Sequence, residues 1–424
     1  MLRFYTVDKP GGIAYNDSLN RPTLPAGISM FEQFEATPSD PIIKLIDLYR
    51  DDPRSGKIDV GIGVFRDAKG ETPVMKAVRI AEEKLHRRQT TKTYVGLAGD
   101  ETFNDHIADL VFSRSPERER VRAIQTPGGC GALRLLSEML YRIANDKTIW
   151  LSDPTWGNHI PIFRQTGFGI QSYPYLDRQS KTVDVDALLS KLGTLGKNDI
   201  VVLHGCCHNP SGAELKPEEW DEIAALCAKN GFLPYVDLAY QGFADSLEQD
   251  VYGVRALASA ADSMVVASSC SKNFGLYRDR VGCAMILGKT NEISDITRGH
   301  VLSTARSSYS MPPDHGGALV ALILSDPDLR ETWEDELTGM RERMLFLRKT
   351  LRDTLRSKTH SDRWDFITSH RGMFSLLVLD EPQVESLRTD HAVYAVAGGR
   401  INIAGLKDEA QVEQFADALV AVTA

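Results

Sequence analysis

The sequence lacks the features that mark several large classes of protein. No apolar run approaches the roughly 20 residues that a helix needs to cross a bilayer. The N-terminus has no apolar core of the kind found in secretory signal peptides. Internal repeats and low-complexity linkers are also missing. We therefore expect a globular protein of the cytoplasm that does not bind membranes.

Positive charge is in short supply as well. There are 49 Lys and Arg against 58 Asp and Glu, which gives a formal net charge of −9. This balance argues against broad nucleic-acid binding or attachment to an anionic membrane. Neither G-x-G-x-x-G nor G-x-x-x-x-G-K-[ST] occurs, so no nucleotide-binding loop is supported.

Cysteine usage gives no metal or disulfide framework. The six cysteines contain no C-x-x-C pair, which excludes a zinc knuckle or a redox dithiol. Cys206, Cys207 and His208 stand together and admit a metal-binding interpretation, but small buried side chains beside a loop are the simpler account. We predict no metal, and reduced thiols fit the cytoplasm.

What the chain does contain is the pattern of an α/β protein. Short, continuously apolar runs begin near residues 148, 199, 232 and 264, and helical patterns separate them. Buried strands between helices indicate a mostly parallel central sheet covered by helices on both faces.

The length of 424 residues suggests about two domains. We predict an N-terminal arm or extension over residues 1–29 and a large domain over 73–339. A smaller α/β domain is expected from both chain ends, residues 30–72 and 340–424. A long amphipathic helix from Pro327 to about Lys358 could bridge the two domains.

Polar residues follow four of the predicted strands, at residues 153–159, 204–209, 237–240 and 269–272. Ligands bind such sheets at the carboxyl ends of the strands, so these residues should converge on one crevice. The last group belongs to SSCSKNFGLYRDR, residues 268–280. Its hydroxyls and guanidinium suit a phosphate, and Lys272 could hold an aldehyde as a Schiff base. Pyridoxal 5'-phosphate needs both functions, whereas a surface lysine after a strand is the plain alternative.

Four segments carry a resemblance to a known family: HGCCHNPSG, VDLAYQGF, SSCSKNFGLYRDRVG and GGRINIAG. They resemble the class I aminotransferases of the aspartate and aromatic subgroup, which are fold type I pyridoxal-phosphate enzymes. The likeness extends from about Met30 to the C-terminus. It implies pyridoxal phosphate as cofactor and a homodimer whose active sites are shared between subunits.

The resemblance also implies a role for each matching residue. Lys272 would hold the cofactor and move the substrate proton, Asp237 would pair with the pyridine nitrogen, and Tyr240 would bind the phenolic oxygen. Further cofactor contacts are implied for Gly129, Cys130, Trp156, His159, Asn209, Ser269, Ser271 and Arg280, and for Tyr94 of the neighbouring subunit.

The substrate contacts come from the same likeness. Arg400 would bind the α-carboxylate with a bidentate fork, close to the backbone of Gly63, while Trp156 and Asn209 line the site. Arg306, donated by the other subunit, would bind the distal carboxylate of a dicarboxylic substrate.

Three positions depart from the aspartate-specific pattern. Cys130 replaces a hydroxyl residue in the phosphate turn, Met311 replaces an asparagine near the distal arginine, and Cys270 replaces a tyrosine. With TKTY, RGMFS and RINIAGL, these departures resemble the aromatic-amino-acid members.

We expect transamination of tyrosine, phenylalanine and tryptophan, and of aspartate or glutamate, with 2-oxoglutarate as acceptor. A narrow dicarboxylic aspartate aminotransferase is the close alternative. A nicotinamide-dependent oxidoreductase is disfavoured by the missing glycine motif. A non-catalytic binding protein is disfavoured by Lys272 and the two arginines.

Overall fold

The computed structural model describes residues 30–34, 36 and 41–424. The predicted arm over residues 1–29 lies outside the described residues. Among the described residues, no helix combines the length and the apolar character that crossing a membrane requires.

The strands form one large sheet and two small ones. The strands in the described part of the chain are β1 (Ile58–Asp59), β2 (Val121–Pro127), β3 (Thr148–Asp153), β4 (Gly169–Pro174), β5 (Asp199–His204), β6 (Leu233–Leu238), β7 (Met264–Ser269), β8 (Val281–Leu287), β9 (Phe374–Leu376), β10 (Val393–Tyr394) and β11 (Arg400–Asn402). Strands β2 to β8 make the seven-stranded sheet in the order β2-β8-β7-β6-β5-β3-β4. All neighbours are parallel except β8, which is antiparallel to β2 and β7. This confirms the predicted α/β class.

Helices connect the strands and cover the sheet. They are α1 (Pro41–Asp51), α2 (Lys76–Arg88), α3 (Glu101–Phe112), α4 (Gly128–Ala144), α5 (His159–Thr166), α6 (Val185–Leu192), α7 (Pro217–Asn230), α8 (Tyr252–Ala260), α9 (Asn291–Ser308), α10 (Asp314–Ser325), α11 (Pro327–Thr359), α12 (Phe366–Ser369), α13 (Glu381–Thr389) and α14 (Glu409–Val422). Helix α7 begins at its proline and is followed by the left-handed Gly231, as its sequence predicts.

Successive residues of a strand contribute to two different apolar clusters. In β5, for example, Val201 and Leu203 belong to one buried cluster and Ile200 and Val202 to the other. Alternate side chains of a strand point to opposite faces, so both faces of the sheet are covered. Because both faces of the sheet are covered, a ligand must bind at an edge of the sheet, and we expect the carboxyl edge.

The two chain ends meet in the small sheets. Strand β1 pairs in parallel with β10, and β9 pairs with β11 in antiparallel register, with Arg400 opposite Leu376. The apolar run that starts at Ile58 is a strand for only two residues. The Asp59 carboxylate accepts hydrogen bonds from the backbone N–H groups of Gly61 and Ile62, which turns the chain out of the sheet.

Candidate active site

A cavity of about 270 Å³ lies at the carboxyl edge of the large sheet. Twelve of the sequence-predicted site residues line it: Gly63, Gly129, Cys130, Trp156, Asn209, Asp237, Tyr240, Ser269, Ser271, Lys272, Arg280 and Arg400. They come from segments up to 337 positions apart, from Gly63 to Arg400, which the fold brings to one place.

The floor of the cavity contains a buried pair, Asp237 and His159. Nε2 of His159 donates to Oδ2 of Asp237 at 3.0 Å, and the imidazole is fully buried. Burial would raise the pKa of Asp237, but the hydrogen bond and charge of His159, together with His204 and Lys272, outweigh burial and lower it. The carboxylate is thus kept ionised at a site where burial alone would neutralise it.

His159 is held in turn by two neighbours. Its Nδ1 lies 2.8 Å from the Thr155 hydroxyl, which is 3.3 Å from Nε2 of His204. Burial lowers the pKa of His204 to about 3, with the charge of His159 acting in the same direction. His204 therefore adds a hydrogen bond to the network, and burial opposes its protonation beside Asp237.

Lys272 follows β7 and faces the same cavity. Burial lowers its pKa and Arg280 adds to the effect, while Asp237 opposes it. Nζ of Lys272 lies 5.1 Å from the centre of the Tyr240 ring. A lysine whose pKa is lowered has more of the neutral amine that can act as a nucleophile or base.

An anion cradle lies beside Lys272, where α4 begins. Gly128 has a φ of +74°, and a Cβ there would lie 2.4 Å from Nη2 of Arg280. A Cβ on Gly129 would lie 2.9 Å from the Cβ of Ser269. Nη1 of Arg280 donates to the Ser271 hydroxyl at 3.4 Å. A helix N-terminus that two glycines open to a guanidinium and hydroxyls is suited to bind a phosphate.

Cys130 is part of the same helix start. Its Sγ accepts from Nδ2 of Asn158 at 3.8 Å, and the residue is half-buried in the wall of the cavity. The thiol can offer an anion only a weak S–H donor.

Arg400 occupies the opposite side of the cavity and is only 6% exposed. Its Nη2 donates to the Gly61 carbonyl at 2.7 Å, and its Nη1 makes a long contact of 3.5 Å with Oδ1 of Asn209. Its Nε is buried and finds no partner among the residues that the structure describes, and its guanidinium carbon lies 4.5 Å from the centre of the Phe374 ring. Burial lowers the pKa of Arg400. A buried guanidinium with a free donor is prepared for an anion.

Three predicted site residues do not line the cavity of this chain. His159 lies behind Asp237, as described above. Tyr94 is 84% exposed, and Arg306 is exposed at the end of α9, where its Nη1 donates to the Ser310 hydroxyl at 2.5 Å. The last two are the residues that we expected from a neighbouring subunit.

The cavity also has walls that were not predicted as site residues: Ile42, Leu133, His204, Cys206, Ala239 and Phe374. His204 stands at the end of β5, so the strand-end rule could have identified it. Phe374 carries no such signal, because a phenylalanine at the start of a short strand more often belongs to the apolar core than to a binding site.

These contacts define a class of protein. A desolvated lysine and an ionised buried carboxylate share one cavity with an anion cradle and a second, separate guanidinium. At the carboxyl edge of a mostly parallel sheet, this is the site of an α/β enzyme that acts on small anionic molecules.

Comparison with known proteins identifies the family. Residues 55–419 match the family model described as aminotransferase class I and II. The chain belongs to this family and is an aminotransferase.

Individual relatives are similar over nearly their whole length. The tyrosine aminotransferase of Rhizobium meliloti is 46% identical over 89% of this chain and 96% of its own. The aspartate aminotransferase of Haemophilus influenzae is 43% identical over 90% and 97%. A solved aromatic-amino-acid aminotransferase from Burkholderia pseudomallei, covalently bound to pyridoxal phosphate, has a TM-score of 0.91 and 35% identity, and the match covers 93% of this chain and 100% of that one.

Proposed function

We propose that this aminotransferase uses pyridoxal 5'-phosphate to transfer the amino group of aromatic amino acids to 2-oxoglutarate. Tyrosine, phenylalanine and tryptophan are the proposed aromatic donors, and aspartate and glutamate are proposed as further substrates. One observation carries the proposal: the desolvated amine of Lys272 faces the same 270 Å³ cavity as the buried guanidinium of Arg400, whose Nε has no partner among the described residues.

The residues present fit the proposed cofactor. Gly128 and Gly129 let the start of α4 lie close to Arg280 and Ser269, because a Cβ at either position would collide with those side chains. Backbone N–H groups beside a guanidinium and hydroxyls suit a phosphate group, and Lys272 stands one residue beyond Ser271 to meet an aldehyde. The flat indole of Trp156 lines the cavity and suits an aromatic ring.

When bound, pyridoxal phosphate supplies an aldehyde that takes up an amino group and a ring that accepts the electron pair left when the α-proton is removed. Asp237, kept ionised by His159, would hold a proton on the ring nitrogen through a charge-assisted hydrogen bond. Lys272 would take the α-proton as its free amine and return a proton at the neighbouring carbon. Tyr240 and Asn209 would hold the phenolic oxygen.

Arg400 would orient the substrate through its α-carboxylate. A carboxylate can accept from Nε, which has no partner within the described part of the chain, and from a neighbouring Nη, which gives the bidentate geometry typical of arginine. Gly63 also lines the cavity, and a Cβ there would be 3.0 Å from the Phe374 ring, so the absence of a side chain lets the backbone pack closely against Phe374.

A second copy of the chain would complete the site. Tyr94 and Arg306 are exposed and away from the cavity of their own chain. We propose a homodimer in which Tyr94 binds the cofactor phosphate of the partner and Arg306 meets the distal end of its substrate. Arg306 would pair with a side-chain carboxylate or move aside for an aromatic ring.

The aromatic preference is supported by Met311, which offers Arg306 no amide partner. In this chain Arg306 bonds instead to the hydroxyl of Ser310, immediately before Met311. Cys270 is buried and does not line the cavity, so its contribution would be indirect.

Two further proposals concern the organisation of the molecule. The pairing of β1 with β10 supports a small domain of residues 30–72 and 340–424 beside a large domain of residues 73–339. The six free thiols support a cytoplasmic location.

Absorption spectroscopy tests the cofactor and the lysine together. We expect the purified protein to be yellow and its visible band to bleach when tyrosine or aspartate is added. Lys272→Ala should still bind the cofactor but should not turn over. Turnover near the wild-type rate would contradict the proposed role of Lys272.

The substrate preference needs steady-state kinetics. The ratio of kcat/KM for tyrosine and phenylalanine to that for aspartate separates the proposal from a narrow aspartate aminotransferase. Negligible turnover of both aromatic substrates would favour the narrow enzyme.

A further inference from the structure

A buried guanidinium outside the cavity has no role in the chemistry described so far. Arg348 lies on α11 and is 1% exposed. Within the part of the chain that the structure describes, it bonds to carbonyl and hydroxyl oxygens and to no carboxylate. Burial lowers its pKa to about 9. An unpaired buried charge is costly, and an apolar side chain of similar size would avoid that cost.

All the oxygens that Arg348 binds belong to one segment, residues 367–375. Its Nη2 donates to the carbonyls of Phe374 and Gly372 at 2.7 and 2.9 Å, with a longer contact to that of Arg371. Its Nη1 donates to the Ser375 hydroxyl at 2.6 Å and to the Ile367 carbonyl at 3.1 Å. The planar fork of a guanidinium can fix several carbonyls at once, which a point charge cannot do.

These bonds close the open edge of a weak sheet. Strands β9 and β11 form a two-stranded sheet of three residues each, which is marginal without further support. On the edge of β9 away from β11, Arg348 takes the carbonyls of Gly372 and Phe374, and the Leu376 N–H donates to the Ser211 carbonyl. Arg348 therefore acts in place of a third strand.

The residue that this edge holds in place is Phe374. Its ring lies 4.5 Å from the guanidinium carbon of Arg400 and 6.0 Å, edge to face, from the Tyr240 ring. The Phe374 carbonyl is also confined from outside, since a Cβ on Gly212 would lie 2.1 Å from it. A displacement of β9 would move the wall against which Arg400 is packed.

We propose that Arg348 is a positioning residue for substrate binding: it fixes the backbone of β9 so that Phe374 holds the Arg400 guanidinium in the orientation that receives a carboxylate. The inference rests on the proposed function, because it concerns the carboxylate that Arg400 is proposed to bind. Arg348 acts through Phe374 and touches neither substrate nor cofactor.

Binding of a carboxylate that cannot react tests this directly. The probe is 3-phenylpropionate, titrated into the holoenzyme, with KM and kcat for tyrosine measured in parallel. For Arg348→Met we expect the Kd of the probe and the KM of tyrosine to rise about tenfold, while kcat and the Kd of the cofactor change about twofold or less. Arg348→Lys should restore only part of the affinity, because a lysine keeps the charge but not the fork.

Arg343 offers a matched control on the same helix. It also donates to backbone carbonyls, those of Arg66, Asp67, Leu406 and Lys407, none of which belongs to the segment that Arg348 binds. Arg343→Met should lower thermal stability but leave the Kd of the probe unchanged. If Arg348→Met also leaves that Kd unchanged, Arg348 is only structural and the inference is wrong. Failure of the wild type to bind the probe would instead count against the proposed function.

A double-mutant cycle tests the route through Phe374. In a Phe374→Leu background, Arg348→Lys should have little further effect on the Kd of the probe, whereas additive effects would overturn the inference. If the Arg348 variants fail to fold, Ser375→Ala is a smaller change. It removes the hydrogen bond between Arg348 and the Ser375 hydroxyl while Arg348 itself is kept. It should raise the Kd about twofold to threefold, and an unchanged Kd would contradict the proposal.

Discussion

Arg400 and Arg306 were both predicted to bind carboxylates, yet the chain places them in opposite surroundings. Arg400 is 6% exposed, packed on Phe374, and has a buried Nε that no described residue pairs. Arg306 is exposed and is bonded to Ser310, four residues further along the chain. One guanidinium is already desolvated and oriented before a ligand arrives, and the other is free to move. If both proposed roles are right, the difference separates the part of the site that every substrate needs from the part that distinguishes substrates.

Removal of the buried arginine should have the largest effect. For Arg400→Ala we expect kcat/KM to fall about a thousandfold with tyrosine and with aspartate, because both lose the fork that binds the α-carboxylate. The kcat/KM of Arg400→Lys should lie between the values for the wild type and Arg400→Ala, because lysine retains the charge but not the fork. If kcat/KM fell with only one of the two substrates, Arg400 could not be the group that binds the α-carboxylate of both.

Removal of the exposed arginine should affect one class of substrate. For Arg306→Ala we expect kcat/KM with aspartate to fall about a hundredfold and that with tyrosine to change only a few-fold. Arg298→Ala is the control, because Arg298 lies on the same helix and pairs with Glu101 instead. Equal losses for both substrates would mean that Arg306 supports the fold and does not select the substrate.

The buried side of the site should also respond to acid. The pKa of His204 is about 3 in the folded protein against an ordinary value of 6.5, so between these values the unfolded chain binds the extra proton. Stability is therefore complete above pH 6.5 and is lost as the pH falls, and at pH 5 His204 should account for about 2 kcal/mol. Urea unfolding at pH 7 and pH 5 measures this loss. His204→Gln should show a smaller difference than the wild type, and an equal difference would contradict the burial effect.

The smallest expected effect concerns the cradle beside Lys272. Cys130→Ser should lower the Kd of pyridoxal phosphate about threefold, because a hydroxyl is a stronger donor than a thiol. Cys227→Ser, at a buried position remote from the cavity, serves as the control. A weaker affinity in Cys130→Ser would show that the contact with Asn158 matters more than the donor.

Parts of the molecule could be predicted because local patterns carry them. Helix α7 begins at Pro217 and ends before Gly231, as its end signals indicate. The residues that follow β3, β5, β6 and β7 could be placed together because parallel strands end at one edge. The apolar residues that follow Asp59 are not in a strand, although their sequence suits one, because the Asp59 side chain binds the next backbone N–H groups. Such a local competition between side chain and backbone leaves no periodic signal.

Long-range contacts account for what could not be predicted. The motifs around Lys272, Asp237 and Arg400 identify the chemistry, since each needs a particular residue type next to a strand end. Phe374 and Arg348 carry no such mark, and their importance comes from being 26 residues apart in sequence yet joined by a 2.7 Å hydrogen bond. The same holds for Arg400. Gly61, Asn209 and Phe374 contact its guanidinium and remove it from water, but none of the three pairs with its Nε. The identity of the reactive groups is therefore encoded locally, whereas their desolvation and orientation arise from packing between distant segments.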